Sequence, residues 1–222
     1  MVLPDVPFRV ERLLPDPEAA AVQVWVGGRA LGRVHASAPA ELGLAAGTEL
    51  AGEAVRALRA ALDARAAFED GARQLGRRAR ARGALERSLA AAWGAAAATD
   101  AVERLGHYLD DAAFAQDWVE GRLARSPQGP DALLAGLARQ GVPADVARRT
   151  VAALAAGDRS WTLCLAAAAR GAARYGHLPP AQRRARLWGY LARRGFDEDL
   201  VAKAVAQVEG ASEPGAEAPS RS

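Results

Sequence analysis

The sequence predicts a mainly α fold of tandem three-helix repeats, preceded by a small N-terminal antiparallel β hairpin or sheet. Three observations predict it. Residues 133–151 (LLAGLARQGVPADVARRTV) and 187–205 (LWGYLARRGFDEDLVAKAV) align without a gap. They share Leu133 with Leu187, Leu137 with Leu191, Ala138 with Ala192, Arg139 with Arg193, Gly141 with Gly195, Asp145 with Asp199 and Val151 with Val205. An internal repeat sets the architecture before any local reading does. Residues 1–50, by contrast, hold short runs with β-branched and aromatic residues. Finally, half the chain is apolar, mostly Ala, which favours helix but buries little area per residue. The cores must then depend on Leu, Val and Trp at spaced positions.

In chain order, AVQVWV alternates strictly, with Val22, Val24 and Val26 on one side and Gln23 and Trp25 on the other. Gly27-Gly28 reads as a turn and Ala30 to His35 as the return strand. From about Glu53 the chain reads as helix for some thirty residues, with Leu58, Leu62, Ala66, Phe68 and Leu75 as a stripe. Gly71 and Gly76 are the places where that helix is expected to break. A degenerate first repeat follows over 53–109. Its helices are read as ARQLGRRAR, ALERSLAAAW and TDAVERLGHYL, with Gly94 at the turn, AAAA as a featureless link and Thr99 as an N-cap.

The second repeat spans 110–156. Asp110-Asp111 opens its first helix as a capping signal, and SPQGPD breaks the chain before Pro130 starts the next. Leu133, Leu134 and Leu137 form one face. Gly141 suits a left-handed C-cap, and Val142 the apolar contact that folds back on it. Pro143 suits the first turn of the third helix, where Asp145 meets the positive end of the helix dipole. The third repeat, 157–210, runs the same way: DRSWTLCLAAAARGAARYG, the break HLPPAQ, the Gly195 turn with Phe196, and Asp197 as N-cap. Residues 211–222 are polar and Pro-rich, a composition expected of a disordered tail.

Composition narrows the function. Cys164 is the only cysteine, so no internal disulfide forms, and it reads as a small buried apolar residue. The N-terminus lacks a secretory signal, and no apolar run approaches the ~18 residues of a membrane span. A soluble cytoplasmic protein is expected. His35, His107 and His177 are scattered without a second ligand at helical spacing. No phosphate loop, Ser/His/Asp context or cofactor fingerprint is present, so a non-enzyme without cofactor is expected.

Charge is more informative. Net charge is +3, and the basic residues are Arg except Lys203. Arg suits phosphate and carboxylate forks, although an Ala, Arg and Gly bias also suits a GC-rich genome. Arg73, Arg77, Arg78, Arg80 and Arg82 cluster, and Arg77, Arg80 and Arg73 can share a helical face. Arg183, Arg184 and Arg186, then Arg193 and Arg194, form a second group. Arg139, Arg148 and Arg149 are a sparser third. Arg139 and Arg193 occupy the same repeat position, where packing requires no charge. A repeated basic position suggests a surface facing something polyanionic or acidic. Trp93, Trp118, Trp161 and Trp188 read as core anchors rather than base-stacking platforms.

The stretch YLDDAAFAQDWVEGRLARSPQGPDALLAGLARQGV resembles the bacterial RecX regulatory proteins. The resemblance rests on Leu109, Asp110, Asp111, Phe114, Ala115, Arg122, Gly129, Pro130, Leu137 and Gly141. The closing repeat, with its Arg194-Gly195-Phe196 turn, is similar to that family's last module, and LGLAAGTEL to its leading segment. The first repeat departs from the family's Arg-x-x-Ser-x-x-Glu-Leu: Arg78 and Leu85 remain, but Ala81 and Ala84 replace Ser and Glu. The resemblance implies an elongated, curved, basic array of repeats. It also implies a negative regulator of the RecA recombinase, lying along the RecA filament on single-stranded DNA, in DNA repair and homologous recombination. The eleven arginines Arg73, Arg77, Arg78, Arg80, Arg82, Arg139, Arg183, Arg184, Arg186, Arg193 and Arg194 are its expected filament or nucleic-acid contacts. A monomer with no membrane partner is expected. The rival reading is a stand-alone helix-turn-helix-like protein that binds DNA through phosphates.

Overall fold

The structure, a computed structural model, describes residues 7–155 and 157–210; the expected tail over 211–222 lies outside the described residues. The fold is mainly α, with a small antiparallel sheet at the N-terminus, as the sequence predicts. The chain divides into two compact units, Met1–Leu109 and Asp110–Ser222.

In the first unit, β1 (Phe8–Arg9) pairs antiparallel with β5 (Glu49–Leu50). The strands β2 (Arg12–Asp16), β3 (Ala21–Val26) and β4 (Arg29–His35) form a three-stranded antiparallel meander. Gly27 (φ +57°) and Gly28 (φ +72°) make the tight turn between β3 and β4, a backbone that L side chains rarely adopt. Val22 and Val24 are buried, but a bulge between Val24 and Trp25 interrupts the register, and Val26 beyond it is only half-buried. A single turn, α1 (Ala38–Glu41), precedes β5.

The long helix α2 (Glu53–Arg77) covers the sheet with Leu58 and Leu62, which join Val10, Val22, Val24, Leu31, Val34, Leu44 and Leu50 in one core. Each Leu removed from water there contributes about 1.5–3 kcal/mol. Farther along, α2 enters a second core through Ala67, Phe68 and Leu75. This core contains Leu85 and Leu89 of α3 (Arg82–Trp93), Ala97, Ala98, Ala101 and Val102 of α4 (Ala95–Arg104), and Leu105. A 3-10 turn (Gly106–Tyr108) ends the unit.

Several expectations for this repeat are corrected. α2 does not break at Gly71 or Gly76. Gly71 is buried, and a Cβ there would stand 2.6 Å from the Leu105 side chain, so the glycine permits close helix packing. ARQLGRRAR is not a separate helix but the end of α2 and the link to α3. AAAA is not a link but the first turn of α4, entered from Gly94 (φ +86°). Thr99 therefore lies inside α4 and caps nothing; its hydroxyl reaches Glu86 at 3.3 Å. The propensity of Ala for helix outweighs the capping signal of Thr99. At the start of α3, Ala81 holds the N-cap position without a side-chain cap bond.

The second unit contains α5 (Asp111–Arg125), α6 (Pro130–Gln140), α7 (Ala144–Ala155), α8 (Asp158–Tyr175), α9 (Pro180–Ala192) and α10 (Glu198–Gly210). These are two three-helix repeats. The Asp110 carboxylate accepts the Ala112 and Ala113 N–H groups at 3.0 and 2.9 Å, as an N-cap should. Gly141 closes α6 in the left-handed conformation (φ +80°, ψ +23°), and Val142 packs back into the core. Asp197 accepts the Asp199 N–H at 2.9 Å and so caps α10. Pro143 stands just before α7, its carbonyl accepting the Ala147 N–H at 2.9 Å. Leu187, Leu191, Val201 and Val205 build the third core with Cys164, Ala167, Ala168, Phe196 and Ala204.

Candidate functional site

The described residues offer no cluster of metal-ligand type. No group of three or more His, Cys, Asp or Glu among them could hold a metal ion. Cys164 is fully buried, its Sγ 3.7 Å from the Leu200 carbonyl, and burial pushes the thiol pKa up to about 11. At neutral pH it is an inert thiol. A cleft of about 480 Å³ between β4 and α2 is lined by Arg33, Arg65, Glu69 and Trp93 among others. Its charges satisfy one another: Glu69 binds Arg33 at 2.6 Å and Arg65 at 2.8 Å, and Arg65 also donates to the Ala19 carbonyl. No helix among the described residues is long and apolar enough to cross a membrane.

In the first unit, Arg73 pairs with Asp70 on its own helix at 3.2 Å. Arg77 is the last residue of α2, and Arg78 turns extended (φ −166°, ψ 152°). Arg80 is therefore not on the α2 face with Arg77 and Arg73, as its spacing predicts; it sits in the link, half-buried. Arg82 opens α3, close to Gly106: a Cβ on Gly106 would meet the Arg82 guanidinium at 3.4 Å.

In the second unit, Arg139 lies exposed in the last turn of α6, and Arg193 exposed just after α9. The matched position is solvent-facing in both repeats. Arg149 pairs with Asp145 at 2.9 Å. Arg183 pairs with Glu209 of α10 at 2.7 Å and is largely buried, so part of its charge is used to hold α9 to α10. Arg184 lies 3.7 Å from the same carboxylate and is exposed; Arg186 is exposed on α9.

Arg194 has a different environment from its neighbour. Its guanidinium donates to the Ser126 hydroxyl and, at 2.9 Å, to the Pro127 carbonyl, and lies 4.4 Å from the centre of the Tyr190 ring. The Gly129 N–H donates to the Arg194 carbonyl at 2.8 Å, and the Asp131 N–H to the Gly195 carbonyl at 3.3 Å. A Cβ on Gly129 would overlap the Gly195 carbonyl, and one on Gly195 would overlap the Ala132 backbone. The turn after α9 is thus docked on the link between α5 and α6. Arg194 fastens the third repeat to the second.

Trp93, Trp161 and Trp188 pack against the cores, and Trp118 lies on Gly136, where any side chain would overlap the ring. Sequence reasoning passed over Tyr108. It is 67% exposed, with the His107 ring 3.9 Å away. No periodicity marks it; only its place between a helix end and the Asp110 cap hints at a surface position.

Comparison with known proteins gives a consistent result. Residues 110–151 match the second three-helix domain of RecX, and residues 158–205 the third. The regulatory protein RecX of Mycobacterium avium (strain 104) is 37% identical over 102 residues, covering 44% of this chain and 56% of that one. The match thus spans little more than half of that relative's length. A crystal structure of a regulatory protein RecX superposes with a TM-score of 0.67 at 17% identity, covering 90% of this chain and 99% of the other. That of RecX from Lactobacillus salivarius gives 0.57 at 17% identity, covering 66% and 97%. At that identity these two establish the fold alone. Residues 110–151 and 158–205 thus carry the second and third three-helix domains of RecX.

Proposed function

We propose that this chain is a negative regulator of the RecA recombinase, acting in the cytoplasm as a monomer. It binds along the RecA–DNA filament and limits filament growth, ATP hydrolysis and strand exchange. The observation that carries this reading is the match of residues 110–151 and 158–205 to RecX domains. The physics of the surface supports it. Exposed arginines recur at a matched position, Arg139 and Arg193, so a repeating partner meets several weak contacts at once. Such contacts add in avidity without any deep pocket. A nucleoprotein partner offers both acidic protein patches and phosphates to the same guanidinium groups.

The test is a titration of the chain into RecA assembled on single-stranded DNA. Substoichiometric amounts should depress ATP hydrolysis, and full hydrolysis at saturating protein overturns the proposal. Joint Arg139→Ala and Arg193→Ala changes should raise the half-inhibitory concentration roughly tenfold, equivalent to about 1.4 kcal/mol. A second reading, stand-alone DNA binding, is favoured by the basic balance of the chain, with a pI near 9.6. Its signature is tight duplex binding without RecA that falls steeply with salt.

A further inference from the structure

Positive charge is not spread evenly along the chain. Residues 159–196 contain eight arginines and no Asp or Glu, while net charge is only +3, so acids outnumber bases everywhere else. This run covers nearly all of α8 and the whole of α9. α9 starts without a side-chain cap and without an acid in its first turn, so its own residues leave its positive dipole end unanswered.

An acid from farther along the chain answers it. Glu209, next to last in α10, accepts the Arg183 Nε–H at 2.7 Å and lies 3.7 Å from Arg184 Nε. The contact sets the end of α10 against the first turn of α9. The chain beyond Gly210 therefore leaves from beside Arg184 and Arg186, both exposed on α9. The sequence there continues the same pattern. Glu213 and Glu217 come four and eight residues after Glu209, and Arg221, the single base of residues 211–222, lies beyond both. Glu213 is within about 14 Å of Glu209 along an extended chain, and Arg186 stands only about 4.5 Å beyond Arg183 on the helix axis. Each exposed ion pair shifts an equilibrium by roughly 1.4- to 5-fold. Two such pairs count for little between separate molecules, but a segment tethered at the spot meets the arginines at an effective concentration near millimolar.

We propose that residues 211–222 form an acidic strap that extends the Glu209 clamp, with Glu213 and Glu217 masking Arg184 and Arg186 of α9. The strap competes with any acidic partner for those two arginines. Only its consequence for RecA rests on the function proposed above, so docking is tested first without RecA. The full chain and a chain ending at Gly210 are titrated with a fluorescent ten-residue oligoglutamate. The shortened chain should bind about 3- to 10-fold more tightly at about 10 mM salt, and the gain should vanish near 1 M, where screening shortens from about 30 Å to about 3 Å. Glu213→Gln with Glu217→Gln should reproduce the gain, and Arg184→Ala with Arg186→Ala should abolish it. Cys164 is buried and unreactive, so a nitroxide can be placed on Ser220→Cys alone. At low salt it should broaden the amide resonances of α9, and the Glu213→Gln, Glu217→Gln pair should remove that broadening. The proposal is overturned if both chains bind the probe equally or not at all, if the gain survives 1 M salt or the two arginine changes, or if the label broadens residues away from α9. In the RecA titration the shortened chain should reach half-inhibition at a severalfold lower concentration. If neither chain affects hydrolysis, the RecA reading falls, while the oligoglutamate and label results still decide the strap.

Discussion

The turns after α6 and α9 carry the same Leu-Ala-Arg-x-Gly sequence, yet they do different work. Gly141 ends a helix in the left-handed conformation and lets Val142 return to the core. Gly195 is left-handed too (φ +74°), but its carbonyl accepts the Asp131 N–H and its Cα lies against Ala132. The residue before the glycine is Gln140 in one copy and Arg194 in the other, and Arg194 reaches back 68 residues to Ser126. A repeat conserves the local geometry of a turn. What the turn touches depends on what the neighbouring copy presents. The pairing also separates two adjacent arginines: Arg193 faces solvent, while Arg194 is part of the joint.

The comparison is broken or sharpened most strongly at the glycines. Gly195→Ala adds left-handed strain, about 1–2 kcal/mol, and an overlap with the Ala132 backbone that costs about as much again or more. A loss of roughly 3 kcal/mol or more is expected in urea unfolding followed by circular dichroism. Gly141→Ala should lose only the strain component, about 1–2 kcal/mol. Gly129 isolates the other component, because its backbone (φ −83°, ψ 168°) suits any residue. Gly129→Ala should cost about 1–3 kcal/mol from crowding alone. Equal losses at Gly141 and Gly195 would remove the distinction between the turns.

Arg194→Ala comes next. It removes two hydrogen bonds from a charged group and a ring contact, and should cost about 1.5–3 kcal/mol. Arg193→Ala and Arg139→Ala should stay within about 0.5 kcal/mol of the parent. Any effect of those two on RecA then reports on binding rather than folding. If Arg193→Ala unfolds the chain as readily as Arg194→Ala, the separation of roles is wrong. The smallest effect concerns Cys164. The folded chain should resist alkylation by iodoacetamide at pH 8, and the thiol should react fully once urea unfolds it. The raised pKa favours folding below pH 9.0, the ordinary value, and that contribution fades as pH rises toward about 11.

Much of the fold could be read from the sequence because its signals are local. The Gly141 cap, the Asp110 and Asp197 caps, the Gly27-Gly28 turn and the Leu stripes each need only a few neighbouring residues. The errors arose where distant residues decide. Gly71 looked like a break because the approach of Leu105 is not encoded nearby. Thr99 is a different case, a local one: the four alanines before it extend α4 back to Ala95 and take Thr99 inside the helix. The joint between Gly129 and Gly195 has no periodicity at all. For the candidate surface, the matched Arg139 and Arg193 are exposed in both repeats, whereas Arg183 and Arg194 had partners that only packing reveals.

The unbroken course of α2 also limits where the chain can be divided. Leu58 and Leu62 belong to the sheet core, and Ala67 and Phe68, barely two turns on, to the core of the first repeat. A cut between residues 50 and 53, where the composition changes, would leave Leu58 and Leu62 facing water on a helix that the first repeat still requires. The strands would lose the face of α2 that covers their valines. The sheet and the first repeat are therefore inherited together or lost together, and a shortened variant that keeps its solubility should begin beyond Leu109.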